Sequence, residues 1–345
     1  MSVAALKNAL LLSGDIFGEA LAGLKKEFEL FAPCLKKGQG IYSDTDICAY
    51  DKLDSYEDLS LKRRTYFSAK EIALGVSEKL FESGQDGLQE KAQGAPRKKI
   101  VFARACDIEG FGRLDKIYLE HGPCVDPYYK RLREEVTFFL IECVKGFEGC
   151  FCRAVGADRT NDYAVSILER EDGLLVVTIK NEIFRKYFED IAECAHNLDD
   201  PVAQDIQEQE MVTLPDFTKR ELFDNPLWSE YSKRCVACGR CNTVCPTCSC
   251  FSIYDSTDDK DNITRKRVWS GCQIDGFSKV AGGHEYRTDK GQRMRYKIMH
   301  KFHNFKERFG AQMCVGCGRC VEACPEYIDI RESLKRLYNG QSISA

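Results

Sequence analysis

Eight of the nineteen cysteines fall into two copies of one pattern. Cys235-Val-Ala-Cys238-Gly-Arg-Cys241-Asn-Thr-Val-Cys245-Pro246 and Cys314-Val-Gly-Cys317-Gly-Arg-Cys320-Val-Glu-Ala-Cys324-Pro325 both read C-x2-C-x2-C-x3-C-P. Three thiolates spaced by two residues can wrap one face of a cubane iron–sulfur cluster. Gly239 and Gly318 let the backbone turn beside the inorganic sulfides, where amide N–H groups reach them. The fourth cysteine, followed by proline, points away from its own loop; in two-cluster proteins of this pattern it ligates the other cluster. The resulting assignment gives one 4Fe–4S cluster to Cys235, Cys238, Cys241 and Cys324, and a second to Cys314, Cys317, Cys320 and Cys245. Zinc also favours CxxC pairs, but it needs four ligands in two pairs. Here each motif has a third in-register thiolate and a Cys-Pro.

Eleven cysteines remain. Cys106 ends the strand-like KKIVFAR segment, Cys143 follows the next apolar run, and Cys150-Phe-Cys152 sits in a loop with Gly146 and Gly149. If the two strand ends are neighbours, these four thiolates converge and suffice for a third cluster; buried cysteine acting as a small hydrophobe is the competing explanation. Cys248, Cys250 and Cys272 form a further set in CPTCSC and SGC. With three thiolates it needs another ligand, or serves to support the neighbouring clusters. Cys34, Cys48, Cys124 and Cys194 are isolated and read as core packing.

The elements that must position these thiols divide the chain in two. Residues 1–210 read as an α+β domain, a mixed α/β, partner-binding unit able to hold the third cluster. Phe28–Leu35 and Lys98–Arg104 are expected strands; Tyr163–Glu169 and Leu174–Lys180 flank Glu171-Asp172-Gly173 as a hairpin. Helical periodicity is expected over Lys70–Glu82, Asp126–Leu140 and Asn181–Ile191, and the N-terminal 31 residues read as an amphipathic helix. Asp199–Glu210, with five acidic residues and no basic one, suits a linker or a solvated helix. Residues 211–345 read as a mainly α-helical, ferredoxin-like two-cluster domain, because the 69 positions from Cys245 to Cys314 exceed a compact ferredoxin loop. That interval contains Asp289–Arg308, a long basic helix. Its Arg293, Arg295, Lys297, Lys301 and Lys306 alternate with Tyr296, Phe302 and Phe305, which fits cations near anionic clusters better than a nucleic-acid surface. His300 and His303 on that helix read as solvated or hydrogen-bonded rather than as ligands.

At 345 residues with a net charge of −4, the chain offers no global electrostatic case for nucleic acid or an anionic membrane. No window approaches a transmembrane helix, and the N-terminus lacks the basic start of a signal peptide. Cysteines in CxxC spacing without an export signal place the protein in a reducing, anaerobic cytoplasm. There is no GxGxxG dinucleotide fingerprint and no Walker loop. A chain that binds clusters and lacks a substrate or flavin motif is a relay with no catalytic centre of its own.

The two repeats, CPTCSCF and RYKIMHKFHNFKERFGAQMCVGCGRCVEACPEYI resemble the anaerobic sulfite reductase family of 4Fe–4S dicluster electron-transfer subunits. YSDTD, YFSAKE, ACDIEGF and GCFCRAVG extend the resemblance through the N-terminal half. The β subunits of soluble sulfhydrogenases resemble the chain in CPTCSCF, in Trp269-Ser-Gly-Cys272 and in Ala281-Gly-Gly. The first resemblance implies a three-part complex. A flavin subunit oxidises NADH, this chain relays electrons, and a sirohaem subunit reduces sulfite to sulfide. The second implies the same relay serving a hydrogenase.

Overall fold

The computed structural model describes residues 9–40, 44–84, 87–90, 96–188, 209–218, 222–259 and 262–340. Cys194 and most of the acidic segment from 199 lie outside these residues.

A seven-stranded sheet organises the N-terminal half. Its strands are β1 (Ala9–Leu12), β2 (Glu29–Lys36), β3 (Ile47–Lys52), β6 (Lys99–Arg104), β7 (Val136–Ile141), β8 (Val165–Glu169) and β9 (Leu175–Ile179), in the order β1-β9-β8-β7-β6-β2-β3. The four central strands β2, β6, β7 and β8 run parallel, and β3, β9 and β1 add antiparallel edges. Alternation along the strands sorts side chains to two faces. Ile100, Phe102, Phe139 and Ile141 join a core with Phe17, Leu21 and Leu24 of helix α1 (Gly14–Leu24). Val101, Ala103, Phe138 and Leu140 join another with Ile108, Phe111 and Leu114 of helix α2 (Ala105–Tyr118). Being covered on both faces, β6 and β7 are continuous apolar runs.

A second, four-stranded sheet draws on both halves of the chain. Strands β4 (Ser77–Gly84), β5 (Gly87–Glu90), β10 (Phe251–Thr257) and β11 (Ile263–Trp269) lie in the order β10-β11-β4-β5. The remaining helices are α3 (Pro127–Arg133), α4 (Leu227–Arg234), α5 (Arg240–Thr243), α6 (Lys290–Met299), α7 (Phe305–Phe309), α8 (Arg319–Glu322) and α9 (Ile330–Asn339). A third core joins Leu227, Trp228, Ile298, Phe302 and Leu334 to Phe151 and Cys152 of the N-terminal half.

The expected strands at 28–35 and 98–104 and the 163–180 hairpin are present. The helix expected over Asn181–Ile191 is a 3₁₀ helix over Glu182–Tyr187, with residues 189–191 outside the described ones. Three further helix expectations are corrected. Lys70–Glu82 is a 3₁₀ turn (Ala69–Ile72) followed by β4, whose pairing with β11 and the buried Glu78–Arg267 ion pair override its local helical pattern. Asp126–Leu140 starts as α3, capped by the Asp126 carboxylate accepting from Tyr129 N–H at 2.9 Å, and then becomes β7. The N-terminal segment holds β1 before α1, with Ser13 as the cap between them. The basic helix at 289–308 is present, as α6, a π-helical turn (His300–Asn304) and α7 in succession. The C-terminal half also carries the β10–β11 hairpin, which a mainly helical domain does not include.

Candidate iron–sulfur site

The sequence repeat is also a structural repeat. Cys235 ends α4, Gly239 (φ +73°) precedes α5, and Cys241 lies in α5. In the second copy Gly318 (φ +78°) precedes α8, which carries Cys320. The two loops differ at the position before their second cysteine. Gly316 (φ +61°) would bring a Cβ to 2.6 Å from the Phe151 carbonyl carbon, so only glycine fits. Its counterpart Ala237 adopts the same left-handed conformation (φ 56°) with a side chain.

Two adjoining cavities carry the thiols. Cys235, Cys238, Cys241 and Cys324 line one. Cys245, Cys314, Cys317 and Cys320 line the other. Thus Cys324 of the second motif faces the first motif's cavity, and Cys245 of the first faces the second's. Cys241, Cys320 and Lys297 form part of both walls. Among the described residues no three His, Cys, Asp or Glu side chains close on a single-ion position. Zinc would require four donors within about 2.3 Å of one point. Thiols standing around a cavity fit a larger body such as a cubane.

The surrounding groups suit an anionic occupant. Lys297 and Lys301, each 3% exposed, lie against the cavities from α6 and the π turn. Lys297 Nζ donates to Cys241 O at 3.1 Å; Lys301 Nζ donates to Cys245 Sγ at 3.4 Å and Thr247 Oγ1 at 2.8 Å. Burial works against the Lys301 ammonium, but the neighbouring Cys245, Cys248 and Cys314 prevail and push its pKa up. Backbone N–H groups of Ala237, Gly316 and Ile328 donate to Cys235, Cys314 and Cys324 at 3.3–3.4 Å. Burial pushes the Cys314 thiol up to about 12 against the pull of Lys301. A cluster assembled there would therefore expel a proton from the thiol.

The third candidate set assembles at neighbouring strand ends. Arg104 pairs with Ile141 at the close of β6 and β7, so Cys106, at the start of α2, and Cys143 emerge side by side. Cys106 interacts electrostatically with Cys143 and with Cys152. Arg104 Nη1 donates to Cys143 Sγ at 3.3 Å, and Gln209 Nε2 to Cys150 and Cys152 Sγ at 3.3 and 3.1 Å. The Cys152 thiol donates to Cys150 and, against burial and with help from Gln209, pulls Cys150 down to about 6. Cys34 and Cys48 are buried apart from these sets, and Cys124 is exposed.

Comparison with known proteins agrees with this geometry. The 4Fe-4S dicluster domain family matches residues 234–328. The β subunit of sulfhydrogenase 2 from Pyrococcus furiosus is 29% identical over 303 residues, 84% of this chain and 89% of that protein. No solved structure matches the chain. The chain thus carries a 4Fe-4S dicluster domain and is similar over most of its length to a sulfhydrogenase β subunit. Among the described residues no helix is long and apolar enough to cross a membrane.

Residues other than the cysteines complete the site, and most carry no local signal. Arg319, of the second Gly-Arg, is 2% exposed and binds both carboxylate oxygens of Asp107 at 2.8 Å. Arg64 Nη1 donates to Cys317 O at 2.7 Å. Gln209 belongs to a segment whose composition reads as linker. Lys297 and Lys301 were legible as cations near clusters, since they follow one another at helical spacing.

Proposed function

We propose that this chain relays single electrons between partner subunits of an oxidoreductase complex and has no catalytic centre of its own. The observation that carries the reading is the pair of adjoining thiol-lined cavities with crossed cysteines and shared wall residues. The proposed ligands are Cys235, Cys238, Cys241 and Cys324 for one cluster and Cys314, Cys317, Cys320 and Cys245 for the other. Cys106, Cys143, Cys150 and Cys152 are proposed to hold a third in the unit formed by residues 1–210, with residues 211–345 as the dicluster unit. Bound clusters of this kind exchange one electron at a time. The chain's own residues hold the thiolates, supply compensating cations and exclude water from the second cavity. The first cavity is the outward one: Cys238 is exposed, and Val236 and Tyr327, whose N–H donates to Cys324 O, are 55% and 86% exposed. That supports electron exchange with a partner at this face.

For the terminal partner, the sulfhydrogenase relative favours the catalytic subunit of a soluble, cytoplasmic hydrogenase over a sulfite reductase. A second reading, relay from a flavin subunit oxidising NADH to a sirohaem subunit reducing sulfite, rests on YSDTD, ACDIEGF, GCFCRAVG and the other motifs noted above. Anaerobic capture of the complex from its native host separates them. Nickel without sirohaem supports the hydrogenase; sirohaem with flavin and no nickel supports the sulfite reductase. A colourless, zinc-loaded chain would overturn both.

A further inference from the structure

Beside the second cavity lies a group of thiols that neither motif assigns. Cys248 and Cys250 follow Cys245 by three and five positions, and Cys272 comes from the far end of the β10–β11 hairpin. Hairpin register brings them together: Phe251 pairs with Trp269, and Ser270 N–H donates to Cys250 O at 3.0 Å. The Asn242 side-chain nitrogen lies 3.5 Å from Cys248 Sγ and 3.5 Å from Cys272 Sγ, so the two sulfurs stand at most twice that distance apart. Cys250 interacts electrostatically with Cys272.

Two features of the assigned cavities recur here. The first is N–H donation to sulfur, one of the factors that tune thiolate-bound clusters. Among the described residues, the cysteines whose sulfur accepts such a bond include Cys235, Cys245, Cys314 and Cys324 of the dicluster, Cys143, Cys150 and Cys152 of the third set, and Cys248 and Cys272. Gln273 Nε2 adds a second donor to Cys272 at 3.6 Å. Cys48, by contrast, is oriented as a thiol donor toward Arg63 O.

The second feature is a buried lysine. Lys70, Lys297 and Lys301 are the three lysines buried among the described residues, and none forms an ion pair with a carboxylate there. Removing an ammonium from water without a counter-charge costs several kcal/mol. Lys297 and Lys301 face the two cavities, where an anionic cluster meets that need. Lys70, 2% exposed, reaches the third thiol group: its Nζ donates to Cys248 O at 3.0 Å and sits 3.9 Å above the Trp269 ring. Burial pulls the Lys70 ammonium's pKa down, unlike those of Lys297 and Lys301, and the neighbours that oppose this are Cys248, Cys245 and Cys250.

We propose that Cys248, Cys250 and Cys272 bind a further iron–sulfur cluster through three thiolates, leaving its remaining corner to a non-cysteine ligand. The proposal deepens the relay reading and rests on it for its purpose, since the new site abuts Cys245 and would extend the same chain of centres.

The test is iron and acid-labile sulfide per full-length chain, reconstituted anaerobically, with electron paramagnetic resonance of the reduced protein. Cys250→Ser/Cys272→Ser should lose roughly three to four iron ions relative to the unmodified chain and keep the dicluster signal. Unchanged iron would overturn the site. A second variant, away from these thiols, decides the matter if the first disturbs the dicluster. In Cys150→Ser/Cys152→Ser, iron beyond the dicluster's complement of about eight supports the new site, and about eight alone overturns it. Failure of the 106–152 cluster reads differently: that second variant would then hold as much iron as the unmodified chain.

Discussion

Arg319→Ala should be among the most damaging changes outside the cysteines. The guanidinium is bound on every side: Nη1 and Nη2 to the two Asp107 oxygens at 2.8 Å, Nε to Thr65 O at 2.9 Å, and Nη2 to Thr65 Oγ1 at 2.8 Å. Both ends of the ion pair are 1% exposed. Truncation leaves the Asp107 carboxylate buried with only the Tyr50 hydroxyl, at 3.2 Å, to compensate it. Breaking a buried pair from one side costs about 3–5 kcal/mol, and the two lost bonds to Thr65 place this case toward the upper end. For a chain of this length the unfolding entropy is about 0.7 kcal/mol per kelvin, so the melting temperature should fall by roughly 4–7 °C. The assay is an anaerobic melt by far-ultraviolet circular dichroism at fixed scan rate, on samples matched for iron and visible absorption. Arg319→Met/Asp107→Leu is the control. With no charge left behind, it should regain at least half of the loss. A shift of under about 1 °C for Arg319→Ala, or a double variant as unstable as the singles combined, would refute the argument.

Cys245→Ser should damage the cluster assigned to Cys314, Cys317 and Cys320; paramagnetic resonance showing damage confined to the other cluster would disprove the crossed ligation. Gly316→Ala should cost about 1–3 kcal/mol and lower cluster content, because the new Cβ meets the Phe151 backbone at a left-handed φ, whereas Ala237→Gly should change stability by less than about 1 kcal/mol. Equal effects in anaerobic denaturation would refute the difference between the loops. Lys301→Met removes a cation 3.4 Å from Cys245 Sγ. At an effective dielectric constant of about 20, the potential of the second cluster should fall by on the order of 0.1 V in spectroelectrochemistry, and an unmoved potential would deny Lys301 an electrostatic role. Burial and Lys301 pull His300 down to about 4. An unfolded chain takes up that proton near 6.5, so stability should decline as pH falls from about 6.5 to about 4, and His300→Gln should flatten the decline in melts across that range. Identical slopes for the two proteins would exclude His300 as the source.

What was readable in the sequence follows the range of the forces involved. The cysteine repeat was legible because ligand spacing is local: each loop must present three thiolates within a few residues. Strands β6 and β7 were legible from continuous apolar runs, and Cys106 and Cys143 could be placed beside each other from that alone. Residues 70–82 were misread because the alternation of buried Glu78 and Leu80 with exposed Ser77 and Lys79 spans too few residues to stand out beside the preceding 3₁₀ turn. The partner that makes it a strand, β11, lies some 180 residues away. Asp107, Thr65 and Gln209 carried no signal either, since their roles arise only when distant segments meet around a buried charge.

The two halves of the repeat diverge in a consistent physical direction. In the first loop Val236 is 55% exposed, Cys238 is exposed, and Arg240 of the Gly-Arg pair faces solvent. In the second, the equivalent Val315, Cys317 and Arg319 are 2%, 8% and 2% exposed. Water can answer the charge of an occupant in the first cavity. In the second it cannot, because the 149–152 backbone is pressed onto the loop, with Phe151 N–H donating to Gly316 O at 2.7 Å. Fixed charges take the place of water there: Lys301 against Cys245, and Arg319 between Asp107 and Cys317. Each difference between the loops then has one cause. Glycine replaces alanine where the backbone closes in, and arginine turns from solvent to a buried carboxylate where solvent is removed. The same seal that excludes water from the second cavity also sets its Cys317 beside Cys106, the first thiol of the third candidate set. An electron passing inward from the exposed loop would therefore move from centres balanced by solvent to centres balanced by the protein's own cations.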